Sequence, residues 1–233
     1  MLSTKTLEER FDSIQERIRK AALKAGRKSK EITLVAITKS FPVEIWERAV
    51  DIKLTTLGES RIQEAKEKEK IFQKRDKIKL HFIGHLQSNK ARKAIEIFDV
   101  IQTVDSIKLA NHIDHICAEV SKKQSIFIQI NMNENNNKYG ILGKKATQAA
   151  HEISKMKNIL LNGIMMIPDR GLTTVELGQI YRKAREIRDN ICKNINDQCK
   201  NISTGMSSDY EIAIREGSTH IRIGTALFGA RPN

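Results

Sequence analysis

Short strand-like runs alternate with helix-like segments along the whole chain, and this alternation limits the folds open to it. Eight runs are rich in apolar or β-branched residues, and the segments between them carry apolar residues at helical spacing. The runs lie at residues 32–38, 54–58, 80–84, 100–104, 125–131, 160–167, 201–203 and 219–223. Strict alternation of this kind requires parallel strands joined by right-handed crossovers. The sequence therefore predicts an α/β protein.

Eight β–α units in 233 residues fit a closed TIM-type (β/α)8 barrel, which is our predicted fold. An extra N-terminal helix, with Leu7, Phe11, Ile14 and Ile18 on one face and Gly26 at its C′ position, precedes the first strand. We expect this helix to fill the gap left by a missing eighth crossover helix. An open doubly wound sheet is the alternative, but no GxGxxG follows the first strand. Since no Pro/Gly/Ser-rich linker interrupts the pattern, we predict one domain over residues 1–233.

The chain is strongly basic, with a formal net charge of +13. Such a charge can indicate a nucleic-acid partner. However, lysines alternate with glutamates in residues 64–70, which is typical of a solvated helix face, and only 5% of residues are aromatic. Nucleic-acid binding is therefore kept only as a minor alternative.

The chain carries no signal of export or membrane insertion. Residues 1–10 have no apolar signal region, and no apolar run approaches the roughly 18 residues of a membrane span. The three cysteines, Cys117, Cys192 and Cys199, form no CxxC motif, so we expect buried or half-buried free thiols. These features predict a cytoplasmic protein.

Lys39 directly follows the first buried strand and precedes Ser40, Phe41 and Pro42. Burying an ammonium is costly unless it is paired or neutralised. Either Lys39 extends to solvent, or its pKa is lowered so that the neutral amine can attack a carbonyl and form a Schiff base.

Two later segments resemble phosphate-binding turns. Ser203, Thr204 and Gly205 follow the seventh strand, and Gly224 and Thr225 follow the eighth. In a TIM-type barrel these are the usual positions for a phosphate. A lysine for an aldehyde and a seat for a phosphate together indicate pyridoxal 5′-phosphate (PLP) as the cofactor.

Five blocks of the chain resemble the pyridoxal phosphate homeostasis proteins, which are single-domain relatives of the alanine racemase barrel. The blocks are LVAITK at 34–39, GESRIQE at 58–64, HFIGHLQSNK at 81–90, STGMSSD at 203–209 and GSTHIRIGTALFG at 217–229. The resemblance implies that Lys39 holds PLP as an internal aldimine. It also implies that Ser203, Gly224 and Thr225 surround the phosphate and that Arg222 faces the pyridine nitrogen. Ser60 stands where the family usually has asparagine, so a contact of that side chain to the cofactor is lost or water-bridged.

The proposed Arg222 contact argues for a carrier rather than an enzyme. A guanidinium beside the ring nitrogen disfavours its protonation and makes the ring a weaker electron sink. Full alanine racemases also carry a second domain that supplies an opposing tyrosine, and we expect this chain to lack it, since it stops at Asn233. We therefore predict PLP buffering or delivery to PLP-dependent apo-enzymes without robust catalysis, by a monomer or weak dimer. The alternative is a small racemase-like PLP enzyme.

Other candidates carry less weight. His85 ends a strand and is a possible pocket residue, while Met165 and Met166 fit core packing. His112 and His115 lie one helical turn apart, but with no third ligand on that face we expect no metal site. The polar segment 131–137 is a candidate for mobility or binding.

Overall fold

The strands of the computed structural model, which describes residues 3–133 and 138–230, form one closed parallel sheet. In chain order they are β1 (Thr33–Ile37), β2 (Thr56–Glu59), β3 (Lys79–Phe82), β4 (Val100–Val104), β5 (Gln124–Asn131), β6 (Ile141–Leu142), β7 (Ile159–Met166), β8 (Asn201–Ser203) and β9 (His220–Ile223). The sheet order is β4-β3-β2-β1-β9-β8-β7-β5, and pairing of β4 with β5 closes it. The predicted eight-stranded TIM-type barrel is confirmed.

Helices surround this barrel. They are α1 (Thr4–Lys24), α2 (Glu44–Asp51), α3 (Ile62–Ile71), α4 (Ala91–Ile97), α5 (Ile107–Glu119), α6 (Gly143–Ile153), α7 (Thr174–Asn194), α8 (Tyr210–Arg215) and α9 (Thr225–Phe228). The two-residue β6, which the sequence did not predict, pairs with the end of β5 outside the barrel. A run of two residues is too short to show a periodicity.

The N-terminal helix α1 lies against α8 and α9, where an eighth crossover helix would lie. Ser3 caps its first turn by accepting a hydrogen bond from the Thr6 amide at 3.1 Å. It ends at Ala25 and Gly26, and Gly26 has the positive φ of 68° expected at C′. The Arg10 side chain donates to the Leu227 carbonyl at 3.4 Å, which ties the helix to the last turn of the chain.

The main apolar core lies between the barrel and its helices, whereas the barrel interior is mixed. Val100, Phe127 and Met165 form a small separate apolar cluster. Buried polar side chains also lie on barrel strands, on β3, β4, β8 and β9: His81, Gln102, Ser203 and Arg222. Because strand residues alternate between the two faces, a narrow barrel brings these side chains together at its centre.

The interpretation of residues 64–70 as a solvated helix face is wrong for Lys68. Its side chain is 5% exposed and its ammonium lies 2.6 Å from the carboxylate of the fully buried Glu59. Lys68 also pairs with Glu64 one turn earlier, at 2.8 Å. The i,i+4 ion pair between Glu64 and Lys68 that the sequence predicts is present, but it lies on the face of α3 that packs against the barrel.

The three cysteines are free thiols, as predicted: Cys117 and Cys199 are buried and Cys192 is half-buried. Burial raises the pKa of the Cys199 thiol to about 12. Within residues 3–133 and 138–230, no helix has both the length and the apolar character needed to cross a bilayer.

Candidate functional site

A cavity of about 350 Å³ opens at the carboxyl ends of the barrel strands. Small-molecule sites usually measure roughly 300–1,000 Å³, so this one suits a compact ligand. Its lining comes from the residues after β1, β3, β7, β8 and β9: Ile37, Lys39, Phe41, Ile83, Ile167, Met206, Ser207, Ser208, Arg222, Gly224, Thr225 and Gly229. Four of the five predicted site residues, Lys39, Arg222, Gly224 and Thr225, therefore lie around one space.

Lys39 reaches this cavity because β1 ends just before it. The last sheet-like contact of the segment is a 3.0 Å hydrogen bond from the Thr38 amide to the Gly58 carbonyl. After Lys39 the backbone turns sharply, since Ser40 has a φ of 66°, in the left-handed region. The lysine side chain is half-buried.

Arg222 is a buried cation that lines the cavity, and its side chain is held by oxygen atoms of β8 and β7. Nη1 donates to the Ser203 carbonyl and hydroxyl, both at 2.8 Å, and Nη2 donates to the Met166 carbonyl at 3.0 Å. Burial lowers the pKa of Arg222 to about 10, which leaves it protonated at neutral pH. A guanidinium of this kind suits a ligand that offers a hydrogen-bond acceptor or a negative charge.

Ser203, the fifth predicted residue, does not line the cavity. Its side chain is completely buried, and its hydroxyl donates to Gln102 at 2.7 Å while accepting from Arg222. The Gln102 amide in turn donates to His81 Nδ1 at 2.7 Å. Ser203 is therefore part of a buried hydrogen-bond network that holds the Arg222 side chain, and its hydroxyl does not face the cavity. Ser203 is the last residue of β8, and the sequence could not distinguish its position from those of the turn residues that follow it directly.

The loop after β8 supplies the residues that sequence reasoning missed, Met206 and Ser207. Gly205 makes the turn with a φ of 89°, and a Cβ there would lie 2.6 Å from the Ala213 Cβ. Asp209 then holds the loop by accepting from the Met206 amide at 2.5 Å and from the Tyr181 hydroxyl at 3.0 Å. The signal was available in the chain, since a serine pair, Ser207 and Ser208, lies two residues after the glycine.

Ser207 contacts the turn that begins α9, and both segments line the cavity. The Ser207 hydroxyl accepts a 3.4 Å hydrogen bond from the Ala226 amide. The first amides of a helical turn lack partners within that turn, so those of Gly224 and Thr225 suit an anion. Together the two segments make a small polar seat in the cavity that Lys39 also lines.

The other candidates lie outside the cavity. His85 pairs with Asp105 at 3.3 Å and stacks on Tyr139 with ring centroids 3.6 Å apart. Ser60 is half-buried but does not line the cavity, and Met165 and Met166 are buried, as predicted for core packing. Of the polar segment, residues 134–137 lie outside the described residues.

Few side chains of the cavity lining can take part in acid–base or covalent chemistry. Lys39 and Arg222 are the only titratable side chains among the described residues that line the cavity. An amine, a buried guanidinium and an amide-rich seat fit a compact phosphorylated aldehyde with a ring acceptor, which is the description of PLP. In the described residues no group of three or more histidine, cysteine or acidic side chains is arranged to hold a metal ion.

Comparisons with known proteins agree with this description. A family model for the N-terminal domain of alanine racemase matches residues 10–232. The pyridoxal phosphate homeostasis protein of Pasteurella multocida is 34% identical over 228 residues, covering 97% of this chain and 98% of its own length. A structure of PipY from Synechococcus elongatus with PLP bound superposes with a TM-score of 0.85 and 30% identity, covering 96% of this chain and all of that one.

Alanine racemase of Clostridium difficile shares the fold alone. It superposes with a TM-score of 0.70 at 17% identity, and the match covers 97% of this chain but 56% of the racemase.

Proposed function

The chain belongs to the alanine racemase N-terminal domain family and, within it, to the pyridoxal phosphate homeostasis proteins, and from this membership we propose that it binds PLP reversibly and takes part in PLP homeostasis. The observation that carries the proposal is the single cavity lined by Lys39, Arg222 and the seat formed by Ser207 and Gly224–Thr225. The PLP-bound neighbour PipY supports the choice of cofactor.

We assign proposed roles to the polar groups that would hold PLP. Arg222 donates a hydrogen bond to the ring nitrogen, and the amides of Gly224 and Thr225, with Ser207, hold the phosphate. Ser203 acts one step removed, because its hydroxyl fixes the guanidinium of Arg222. This modifies the expectation that Ser203 touches the phosphate itself.

Lys39 makes the proposed covalent link. When bound, PLP would supply an aldehyde, and the neutral Lys39 amine would be the group that joins its carbon through a C=N bond, with one water released. Hydrolysis would return the aldehyde and the free lysine, whereas attack by a second amine would pass the C=N bond to that amine and release Lys39. Such a reversible link suits storage and delivery, with PLP-dependent apo-enzymes as the proposed recipients.

We further propose that the protein does not catalyse a robust reaction of its own. Racemisation needs a second acid–base group opposite the lysine, and the described cavity lining offers none besides Lys39, since Arg222 stays protonated. A guanidinium at the ring nitrogen also weakens the ring as an electron sink. The relatives named as homeostasis proteins, not enzymes, support the same view.

The first experiment compares absorption spectra of the purified protein, Lys39→Ala and the exposed-site control Lys30→Ala, each incubated with PLP. We expect a yellow Schiff-base band for the wild type and the control and no such band for Lys39→Ala. Borohydride reduction followed by peptide mass analysis then identifies the modified lysine. A reduced adduct on a lysine other than Lys39 would refute the assignment.

Racemase-like catalysis is the second candidate, because the barrel is shared with alanine racemase. The test is exchange of the α-proton for deuterium across a panel of amino acids, with the PLP-loaded protein. Exchange that disappears in Lys39→Ala would favour this candidate over a carrier. The cytoplasmic location and the monomeric or weakly dimeric state stay predictions.

A further inference from the structure

Three ionisable side chains lie directly behind Lys39 and take no part in the proposed contacts to PLP. Lys68 of α3 is 5% exposed, and its ammonium contacts the buried carboxylate of Glu59 at 2.6 Å and that of Glu64 at 2.8 Å. Glu59 is the last residue of β2 and Glu64 lies in the first turn of α3. We call these three residues the Lys68 cluster.

The Lys68 cluster holds both peptide groups that flank Lys39. The Lys68 ammonium donates to the Thr38 carbonyl at 2.9 Å, which is the peptide group before Lys39. Glu64 accepts from the Ser40 amide at 2.5 Å, which is the peptide group after it. The backbone on the two sides of Lys39 is therefore fixed by two charged side chains from one helix.

Further contacts stiffen the same segment. The Thr38 hydroxyl donates to Glu59 at 2.7 Å and accepts from the Trp46 indole at 3.0 Å. Ser40 has a φ of 66°, in the left-handed region. A residue other than glycine avoids this backbone conformation unless its surroundings impose it. The Glu64 contact to the Ser40 amide supplies that constraint.

A purely structural purpose explains this arrangement poorly. Replacing a buried ion pair by apolar residues of similar size is often neutral or stabilising, so its burial adds little to stability. Burial also raises the pKa of the Glu59 carboxyl against the influence of Lys68, and one of its oxygens has no hydrogen-bond partner among the described residues. Charged hydrogen bonds do, however, fix geometry well.

We propose that Lys68, Glu64 and Glu59 are positioning residues that hold the backbone at Lys39 so that its amine faces the cavity in the orientation needed for covalent attachment of PLP. The proposal rests on the proposed function and adds to it which residues set the reactivity of Lys39. The seat for the phosphate lies on other elements, after β8 and β9, so the two parts of binding are separable.

The test measures covalent and non-covalent binding side by side in the full-length protein. PLP reports attachment through its Schiff-base absorbance, and pyridoxine 5′-phosphate, which carries an alcohol in place of the aldehyde, reports binding without a covalent bond. The variants are Lys68→Met and Glu64→Ala, with Lys70→Met and Glu67→Ala as exposed controls on the same helix. Glu64→Gln keeps an oxygen acceptor for the Ser40 amide and serves as the conservative rescue.

Loss of a hydrogen bond to a charged group predicts that Lys68→Met and Glu64→Ala lower the covalent attachment constant about 10-fold or more. We expect the affinity of Lys68→Met and Glu64→Ala for pyridoxine 5′-phosphate to change less than about 2-fold. The controls Lys70→Met and Glu67→Ala should attach PLP as the wild type does, and Glu64→Gln should recover at least part of the covalent attachment. Equal attachment in wild type, Lys68→Met and Glu64→Ala would overturn the proposal, as would parallel loss of both kinds of binding. If Lys68→Met does not fold, Glu64→Ala decides by the same criteria, because the Glu64 side chain is 20% exposed.

Failure of the proposed function has a different signature. In that case the wild type itself forms no band that Lys39→Ala lacks, and the variants of the Lys68 cluster have nothing to lower.

Discussion

Replacing Gly205 by alanine tests how the loop that carries Met206 and Ser207 is held. The residue has a φ of 89°, and an added Cβ would lie 2.6 Å from the Ala213 Cβ and 3.0 Å from the Tyr210 Cα. Both atoms belong to α8, one of them to its backbone, so neither can move aside as the end of a long side chain would.

Two costs combine in Gly205→Ala. A left-handed conformation at a residue with a Cβ costs roughly 1–2 kcal/mol, and overpacking a filled site typically costs about 1–3 kcal/mol. We therefore expect the free energy of unfolding to fall by about 2–5 kcal/mol. The matched control is Gly171→Ala, because Gly171 has a similar φ of 80° but open space around the added Cβ. The control should lose only the conformational cost of roughly 1–2 kcal/mol.

Urea unfolding followed by far-UV circular dichroism measures both losses, with an unchanged m-value as the sign that the comparison is valid. Any relief of the clash must displace the loop that carries Met206 and Ser207, so Gly205→Ala should also bind pyridoxine 5′-phosphate more weakly, whereas Gly171→Ala should bind as the wild type does. Equal losses of stability in the two variants would refute the steric reasoning. An unchanged affinity in Gly205→Ala would refute the role given to the loop.

Three further predictions concern the interior and the rim of the barrel. Ser203→Ala leaves Gln102 and Arg222 each without one partner and should lower the free energy of unfolding by about 1–3 kcal/mol in urea titrations. Burial lowers the pKa of His220 from 6.5 to about 4, so the unfolded chain takes up the proton first. The free energy of unfolding should therefore be highest above about pH 6.5 and should fall by about 3 kcal/mol toward pH 4 because of this residue. In His220→Asn, urea titrations across this pH range should show a smaller decline. Thr225→Pro removes a backbone amide at the first position of α9, where proline is tolerated, and should weaken binding of pyridoxine 5′-phosphate about 10-fold, whereas Thr225→Ala, which keeps the amide, should bind nearly as the wild type does.

The sequence contained much of the fold in local patterns. The alternation of strand and helix periodicities determined a parallel barrel, because each period reports which face of an element is buried. The Gly26 cap and the extra helix α1 were readable for the same reason. The position of Lys39 at the end of a buried strand was readable too, since a barrel places strand ends at its functional face.

Contacts between distant elements were decided only by the tertiary structure. Residues 64–70 have the i,i+4 charge pattern of a solvated helix, and nothing local distinguishes Lys68 from its exposed neighbours. Only the docking of α3 against the end of β1 makes Lys68 a buried partner of Glu59 and of the Thr38 carbonyl.

Ser203 and Ser207 illustrate the same division. The sequence determined that a polar turn follows this strand, but not which hydroxyl reaches the ligand. Ser203 still lies in the strand and points to the barrel interior, where Gln102 and Arg222 meet it from other strands. Ser207 comes after the Gly205 turn and lines the cavity. Periodicity is a property of neighbours along the chain, whereas a binding site is made by side chains that closure of the barrel brings together.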